Sequence, residues 1–155
     1  MQPMLKPTII FVCTGNTCRS PMAEGIAKHF IQQSGLIDWK VSSAGVFGMD
    51  GIDISVESIK ALQNCGIEFN GVSRALTPKM IEDATHVYCM TDSHKQSVLH
   101  LVPDATGVEL LDCNGSIADP IGQNQEVYDA VAERMYTLIK DRINEINEET
   151  TKEQR

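Results

Sequence analysis

Short continuous apolar runs alternate along the chain with longer stretches of helical spacing. Residues 8–12 form an unbroken run of β-branched and aromatic side chains, typical of a strand buried on both faces. In residues 20–35 the apolar positions recur three and four apart, which indicates a helix that starts at Ser20-Pro21 and ends at Gly35. The beginning of the chain therefore predicts a strand, a loop and a helix.

The same alternation continues to the end of the chain. Further strands are predicted over residues 39–42, 86–90 and 107–111. Further helices are predicted over residues 55–66, with Val56, Ile59 and Leu62 on one face, over 77–81, over 93–101 and, longest, over 127–146. Strands that alternate with helices predict a three-layer α/β fold, a four-stranded parallel sheet with helices on both faces. Ligands of such sheets bind beyond the carboxyl ends of the strands.

Length and composition narrow the class of protein. The 155 residues suit a single domain spanning residues 1–155, with a core at about 8–147 and a frayed tail at 148–155. A net charge of −8, from 21 acidic and 13 basic residues, argues against general binding to nucleic acid or an anionic membrane. No apolar run is long enough for a bilayer span, and the N-terminus lacks a secretory pattern. Five irregularly spaced cysteines are unlike a secreted disulfide framework, so the expected compartment is the cytoplasm.

The loop after the first strand carries the candidate chemistry. Cys13 and Arg19 are separated by five residues in a strand-to-helix turn, which places a thiol and a guanidinium around one bowl of backbone N–H groups. Such a bowl binds dianions, Arg19 can hold two phosphate oxygens, and the same positive potential favours the thiolate. Cys13 is then an in-line nucleophile at phosphorus, with Ser20 hydrogen-bonded to its sulfur. The alternative is a buried core cysteine beside a solvated arginine.

Two further positions complete the predicted reaction. Gly15 lets the backbone approach the anion, and Asn16 tolerates a left-handed conformation while its amide braces the loop. The departing atom needs an acid, for which Asp119, followed by Pro120, is the candidate. An Asp-Pro pair alone is usually a turn, so its interpretation depends on the cysteine loop.

Residues 12–24 and Asp119-Pro120 closely resemble the low-molecular-weight protein-tyrosine phosphatase family, and residues 43–45 and 90–96 also match its pattern. The resemblance implies that Cys13 is the nucleophile and Asp119 the acid and then the base. It implies that the phosphate loop consists of Thr14, Gly15, Asn16, Thr17, Cys18 and Arg19. It further implies support from Asn16, Ser20 and Ser43, no cofactor or metal, and a phosphorylated protein as substrate.

Two positions depart from the tyrosine-specific pattern. Tyrosine phosphatases of this family usually carry a bulky aliphatic residue at the position of Thr17 and an aromatic residue at that of Ile121. At the position of Thr17 the chain resembles the bacterial protein-arginine phosphatases of the same family. Those phosphatases, however, also commonly have an aromatic residue at the position of Ile121. A polar pocket wall suits the guanidinium of phosphoarginine, which has N–H donors, better than it suits the phenyl ring of phosphotyrosine. Phosphoarginine is therefore preferred narrowly over phosphotyrosine, with Phe47 and Met49 either lining the pocket entrance or packing as ordinary loop residues.

The remaining cysteines and histidines leave alternatives open. Cys18 is either a reversible disulfide partner that protects Cys13 or a small packing residue. Cys65, Cys89 and Cys113 are expected in the core or in loops. Two other functions rank behind a phosphatase. One is a reductase that uses Cys89 as a relay, and the other is a redox or phosphate-binding module without turnover. Cys13 and Cys18 have the spacing of half a zinc site, but the sequence offers no convincing second pair of ligands. The four histidines are expected to pack or to face solvent; they are His29, His86, His94 and His100. A monomer or weak dimer is expected.

Overall fold

The computed structural model describes residues 6–153 and contains four strands and five helices within that range. In chain order these are β1 (Thr8–Cys13), α1 (Arg19–Gln33), β2 (Lys40–Gly45), α2 (Val56–Asn64), α3 (Pro78–Asp83), β3 (His86–Cys89), α4 (Asp92–Leu101), β4 (Val108–Leu110) and α5 (Gln125–Glu153). The strands form one parallel sheet in the order β2-β1-β3-β4. The predicted three-layer α/β fold is confirmed.

The central strand β1 has a hydrophobic core on each side, because its side chains alternate between the two faces. Ile9, Phe11 and Cys13 belong to a core shared with α1, α2 and α5. Ile10 and Val12 point into the opposite core, which α3 and α4 cover. The continuous apolar run is thus explained by burial on both faces, and its carboxyl end places Cys13 at the edge where ligands bind in parallel sheets.

Strand β2 is longer than the sequence predicts and supports the loop after β1. It continues to Gly45, which lies opposite Cys13 in the sheet register, whereas a loop is predicted from residue 43. A Cβ added at Gly45 would lie 2.4 Å from the carbonyl oxygen of Thr14. The absence of a side chain at this position lets the two backbones approach, and backbone hydrogen bonds then join Val46 to Cys13 and Phe47 to Thr14.

Two helices begin at other residues than predicted. Helix α1 starts at Arg19 with Cys18 as N-cap, so the prediction of Ser20 as the cap is wrong. The hydroxyl of Ser20 bonds to the Cys13 sulfur instead. Helix α4 starts at Asp92, and its cap is Thr91, not Ser93, because the Thr91 hydroxyl accepts the N–H of His94. In both cases the cap lies two residues before the predicted one.

Two further expectations are wrong at solvent-facing positions. Val56 is 75% exposed and does not share the buried face of α2 with Leu62. Helix α5 continues to Glu153, so residues 148–153 are helical where the sequence predicts a frayed tail; residues 154–155 of that tail lie outside the described range. The apolar spacing that supports α5 in the core ends at Ile146, and the helix continues beyond it through polar residues. Across residues 6–153 no helix is both long enough and apolar enough to cross a bilayer.

Candidate active site

The loop between β1 and α1 forms the floor of the site. Within the described residues, the backbone N–H groups of residues 14–19 have no protein acceptor. Asn16 has a left-handed backbone with φ of 58°, as predicted, which curls the loop. Helix α1 follows directly and has no side-chain cap, so its amino-terminal dipole adds to the positive potential. Unpaired N–H groups in a curled loop at a helix N-terminus form an anion-binding site.

The candidate nucleophile lies at the start of this loop and is the end point of a hydrogen-bond chain. Glu24 Oε1 accepts from Ser43 Oγ at 2.7 Å, which uses the only hydrogen of that hydroxyl. Ser43 Oγ therefore accepts from Asn16 Nδ2 at 2.9 Å, and the second Nδ2 hydrogen of Asn16 goes to Ser20 Oγ at 2.7 Å. Ser20 Oγ lies 2.8 Å from Cys13 Sγ, and either atom can be the donor of this bond. The chain of bonds thus connects Glu24, through two hydroxyls and an amide, to the candidate nucleophile.

The far end of this chain is held by an ion pair. Lys28 Nζ lies 2.6 Å from Glu24 Oε2, one helical turn away on α1. The Glu24 side chain is 9% exposed, so its charge is kept in the protein interior by this ammonium and by Ser43. Because a carboxylate can only accept, Glu24 fixes the donor direction of the Ser43 hydroxyl in this chain. Sequence reasoning found Ser20 and Ser43 but missed Glu24, whose position on the inner face of α1 is the only signal.

A second set of bonds fixes Asn16 itself. Its Oδ1 accepts the backbone N–H of Arg74 at 2.8 Å, so the Asn16 amide uses both its donors and its acceptor. Arg74 O in turn accepts the N–H of Gly45 at 2.9 Å, which ties the segment after α2 to the end of β2. Asn16 is 1% exposed. The loop therefore has its shape before any anion binds.

The predicted cation and carboxylate meet at the mouth of the bowl. Arg19 Nη2 lies 3.4 Å from Asp119 Oδ2, although the two residues are far apart in sequence. Arg19 is 5% exposed, and its Nη1 donates to the carbonyl of Ile117 at 3.0 Å. Asp119 Oδ1 accepts the N–H of Ile121 at 3.1 Å, which shapes the turn that carries the carboxylate. Arg19, at the end of the cysteine loop, thus brings the Asp119 carboxylate, whose side chain is 44% exposed, to this loop.

A histidine that sequence reasoning assigned to packing lies against the loop. His94 is 4% exposed, and its Nε2 is 2.8 Å from Thr14 Oγ1. Burial, with a further contribution from Arg19, lowers the pKa of His94 to about 4, although Asp119 opposes the shift. The imidazole is therefore neutral near pH 7. The bond joins residues 80 positions apart, so local patterns gave no signal for it.

Cys18 lies in a separate polar contact. Its Sγ is 3.4 Å from Tyr128 Oη and 3.6 Å from Ser55 Oγ, so it bridges the loop to α5 and to the cap of α2. All five cysteines are free thiols in the structure. The contacts of Cys18 support a packing role, while its disulfide with Cys13 stays a prediction.

The other cysteines, Cys65, Cys89 and Cys113, lie outside the loop between β1 and α1. Cys89 is fully buried in β3, and burial raises its pKa to about 12, which leaves it an unreactive thiol. Cys65 is half-buried, and burial with the nearby Glu133 and Asp129 raises its pKa as well; Cys113 is exposed. Among residues 6–153 no three His, Cys, Asp or Glu side chains form a metal-binding cluster.

Of the four residues predicted to set specificity, Thr17 lies in the loop itself, and the other three are solvent-exposed residues that we call the rim. Phe47 is 80% exposed, Met49 68% and Ile121 63%. Phe47 donates its N–H to the carbonyl of Thr14 at 2.9 Å, so its side chain stands beside the loop. Thr17 is half-buried, and its backbone carbonyl accepts a hydrogen bond of 2.9 Å from the N–H of Ser55. The specificity roles of these four residues stay predictions.

A thiol on a bowl of free N–H groups, with an arginine and a carboxylate at its mouth, defines a phosphatase of the cysteine-dependent class. Residues 8–154 match the family model of the low molecular weight phosphotyrosine protein phosphatases. The chain belongs to this family and is a low-molecular-weight protein phosphatase.

The similar proteins include protein-arginine phosphatases and protein-tyrosine phosphatases. A protein-arginine-phosphatase of Geobacillus stearothermophilus is 40% identical over 143 residues, which cover 88% of this chain and 93% of that protein. The low molecular weight protein-tyrosine-phosphatase PtpB of Staphylococcus haemolyticus is 34% identical over 135 residues, 84% of this chain and 94% of that protein. A solved YwlE arginine phosphatase, a cysteine-to-serine mutant with a phosphorylated active-site serine, superposes with a TM-score of 0.86 at 32% identity, covering 90% of this chain and 95% of the other.

Proposed function

We propose that this phosphatase hydrolyses phosphoarginine in proteins through a phosphoryl group carried on Cys13. The observation that supports the reaction is the convergence of the Ser20–Cys13 bond, the unpaired N–H groups of residues 14–19 and the Arg19–Asp119 pair. Phosphorylated serine in the active site of a solved relative is the product expected when a nucleophilic oxygen replaces the sulfur.

In the first step the Cys13 thiolate attacks phosphorus in line with the scissile bond. The S–P bond forms as the P–N bond breaks, and the departing guanidine nitrogen keeps the electron pair and takes a proton from the Asp119 carboxyl. Arg19 and the N–H groups of the loop bind the three equatorial oxygens, where negative charge spreads in the transition state. Ser20 Oγ, 2.8 Å from the sulfur, can donate its hydrogen to the attacking thiolate.

In the second step the same carboxylate works in reverse. Asp119, now ionised, takes a proton from water, whose oxygen attacks the phosphorus of the thiophosphate. The P–O bond forms, the P–S bond breaks, and Cys13 leaves as the thiolate, so that phosphate is released and both groups return to their starting states. One exposed carboxylate at the mouth can serve both steps because solvent reaches it.

Thr17 supports phosphoarginine as the substrate. It is half-buried in the loop wall and presents a hydroxyl, which can hydrogen-bond a guanidinium N–H that an aliphatic wall would leave unpaired. The similarity to a protein-arginine-phosphatase over 88% of the chain favours the same substrate. Phosphotyrosine is the second candidate, because PtpB, a protein-tyrosine phosphatase, is 34% identical to this chain.

The test compares kcat/KM on one peptide carrying phosphoarginine or phosphotyrosine. We expect the wild type to prefer phosphoarginine and Thr17→Ile to lower the ratio by about tenfold, the typical value of one hydrogen bond to a charged group. Thr17→Ser, which keeps the hydroxyl, is the matched control and should keep the wild-type ratio. An unchanged ratio in Thr17→Ile would remove Thr17 from the specificity role without affecting the roles of Cys13 and Asp119.

Cys18 is proposed as a redox partner of Cys13, since both thiols lie in one loop of six residues in the sequence. Oxidant treatment followed by mass mapping should show a Cys13–Cys18 bond that dithiothreitol reverses, and Cys113→Ser, at an exposed thiol, should not alter it. Irreversible oxidation of Cys13 alone would contradict this role. A free catalytic thiol is also consistent with an enzyme of the reducing cytoplasm. For the oligomeric state, sedimentation analysis should show a monomer or a weak dimer.

A further inference from the structure

The buried His94 has polar contacts on both ring nitrogens and no part in the two chemical steps. Its Nε2 lies 2.8 Å from Thr14 Oγ1 in the phosphate loop, and its Nδ1 lies 3.1 Å from Thr91 Oγ1, the N-cap of α4. The imidazole therefore connects the first turn of a helix to the anion bowl. A neutral ring carries one N–H, so one of these bonds is donated by the ring and the other by a hydroxyl.

The hydrogen bonds of Thr91 decide which nitrogen carries the hydrogen. As N-cap, Thr91 Oγ1 accepts the backbone N–H of His94 at 3.3 Å. Its own hydroxyl hydrogen finds an acceptor in Nδ1, 3.1 Å away, when Nδ1 is unprotonated. This tautomer, in which Nε2 carries the N–H and points to Thr14 Oγ1, gives every donor an acceptor. The reverse tautomer would leave the Thr91 hydroxyl hydrogen without this acceptor.

Thr14 Oγ1 then receives two donors. One is the Nε2–H of His94, and the other is Nη2 of Arg19 at 3.5 Å. With both oxygen lone pairs occupied, the Thr14 hydroxyl can use its remaining hydrogen only as a donor. Thr14 is solvent-exposed at the start of the loop whose N–H groups have no protein acceptor within the described residues.

We propose that His94 is a positioning residue of the phosphate site: by donating to Thr14 Oγ1 it directs the Thr14 hydroxyl hydrogen toward the bound phosphoryl group. Thr14 thereby becomes a side-chain donor to phosphate beside Arg19. This inference rests on the proposed function only in that the bowl holds a phosphoryl group. It adds a donor and its orienting residue from α4, on the other face of the sheet from α1.

Calorimetric titration of the full-length protein with inorganic phosphate tests the inference independently of turnover. Thr14→Val removes the proposed donor, and His94→Phe keeps a ring but removes its N–H. Each should weaken phosphate binding by about tenfold, and the double variant should bind no more weakly than either single one. His94→Gln, whose side-chain amide places an N–H near that of Nε2, should stay within about threefold of the wild type.

His100→Phe is the matched control, because it makes the same exchange at an exposed position of the same helix and should bind phosphate as the wild type does. Additive losses in the double variant would mean that His94 does not act through Thr14 and would overturn the proposal. Unchanged affinity in Thr14→Val would overturn it too, even if His94→Phe does not fold. Failure of the phosphatase assay with this binding pattern intact would count against the proposed function alone.

Discussion

The floor of the site and its rim are built in opposite ways. On the floor, Asn16 is 1% exposed and Arg19 5%, and each has its polar atoms engaged by partners from other elements. On the rim, Phe47 and Ile121 are 80% and 63% exposed. In the proposed function the floor binds the phosphoryl group that all substrates share, which suits its fixed shape. The rim residues are predicted to meet the part of the substrate that differs, and their side chains can change at little cost to the fold.

The largest effect is expected at the centre of the floor. Cys13→Ser should lower kcat by at least about 10³-fold, because serine is a far weaker nucleophile at neutral pH. Steady-state assays with phosphoarginine peptide and para-nitrophenyl phosphate measure this, and calorimetry should still detect phosphate binding. Cys113→Ser, at an exposed position, is the control and should be fully active. Normal turnover in the Cys13 variant would exclude the covalent mechanism.

The next largest effect is expected for Asp119, at the mouth of the site, and it should depend on the leaving group of the substrate. Asp119→Ala should lower kcat on phosphoarginine by about 10²- to 10⁴-fold, the usual contribution of a general acid. With para-nitrophenyl phosphate, whose leaving group needs little protonation, the rate of the phosphorylation step should fall far less. The initial burst of nitrophenolate in a rapid-mixing experiment measures the rate of that step alone. Asp104→Ala, at another exposed carboxylate, should match the wild type. Equal burst-phase losses on both substrates would remove Asp119 from the acid role.

A smaller effect tests the hydrogen-bond chain beneath the thiol. Ser20→Ala removes the donor to Cys13 Sγ and should lower kcat/KM about tenfold at neutral pH. Ser93→Ala, at an exposed serine of α4, serves as the control. An unchanged kcat/KM in Ser20→Ala would exclude a supporting role of Ser20 at the nucleophile.

The buried histidine makes stability depend on pH. The folded-state pKa of His94, about 4, lies below that of an unfolded histidine, so the unfolded chain binds more protons between the two values. Stability should therefore be full above about pH 6.5 and fall as pH drops toward 4. Arg19 strengthens this dependence, and Asp119 weakens it. Thermal unfolding of His94→Gln should show a shallower fall over this window than His100→Gln, and parallel curves would contradict the assignment.

The smallest effect is expected on the rim. Phe47→Ala and Ile121→Ala should change the free energy of unfolding by no more than about 0.5 kcal/mol, because neither side chain is buried. They should raise KM for peptides by about two- to threefold with little change in kcat, as for uniform binding interactions. Urea unfolding and peptide kinetics measure the two effects. A large loss of kcat would mean that the rim also aligns the reacting group.

The parts predicted from sequence are those whose signals are local. The apolar run of β1 and the Cys13–Arg19 spacing predicted the central strand and the anion loop, and both the sheet and the meeting of Arg19 with Asp119 agree. Glu24 and His94 were missed because each acts through a contact across the fold, 19 and 80 positions away. The start of α1 was misplaced because the hydroxyl of Ser20, a common helix cap, bonds to a sulfur instead.

The wide separation of the bonded residues has a consequence for biosynthesis. Cys13 leaves the ribosome before the residues that complete its site, because Arg19 is held by the carbonyl of Ile117, 98 positions later, and the hydroxyl of Thr14 contacts His94. Long-range contacts of this kind form only after both partners have emerged. A nascent chain that ends before Ile117 thus carries its cysteine without the assembled site. The enzyme therefore completes its active site only when the later half of the chain has folded against the first.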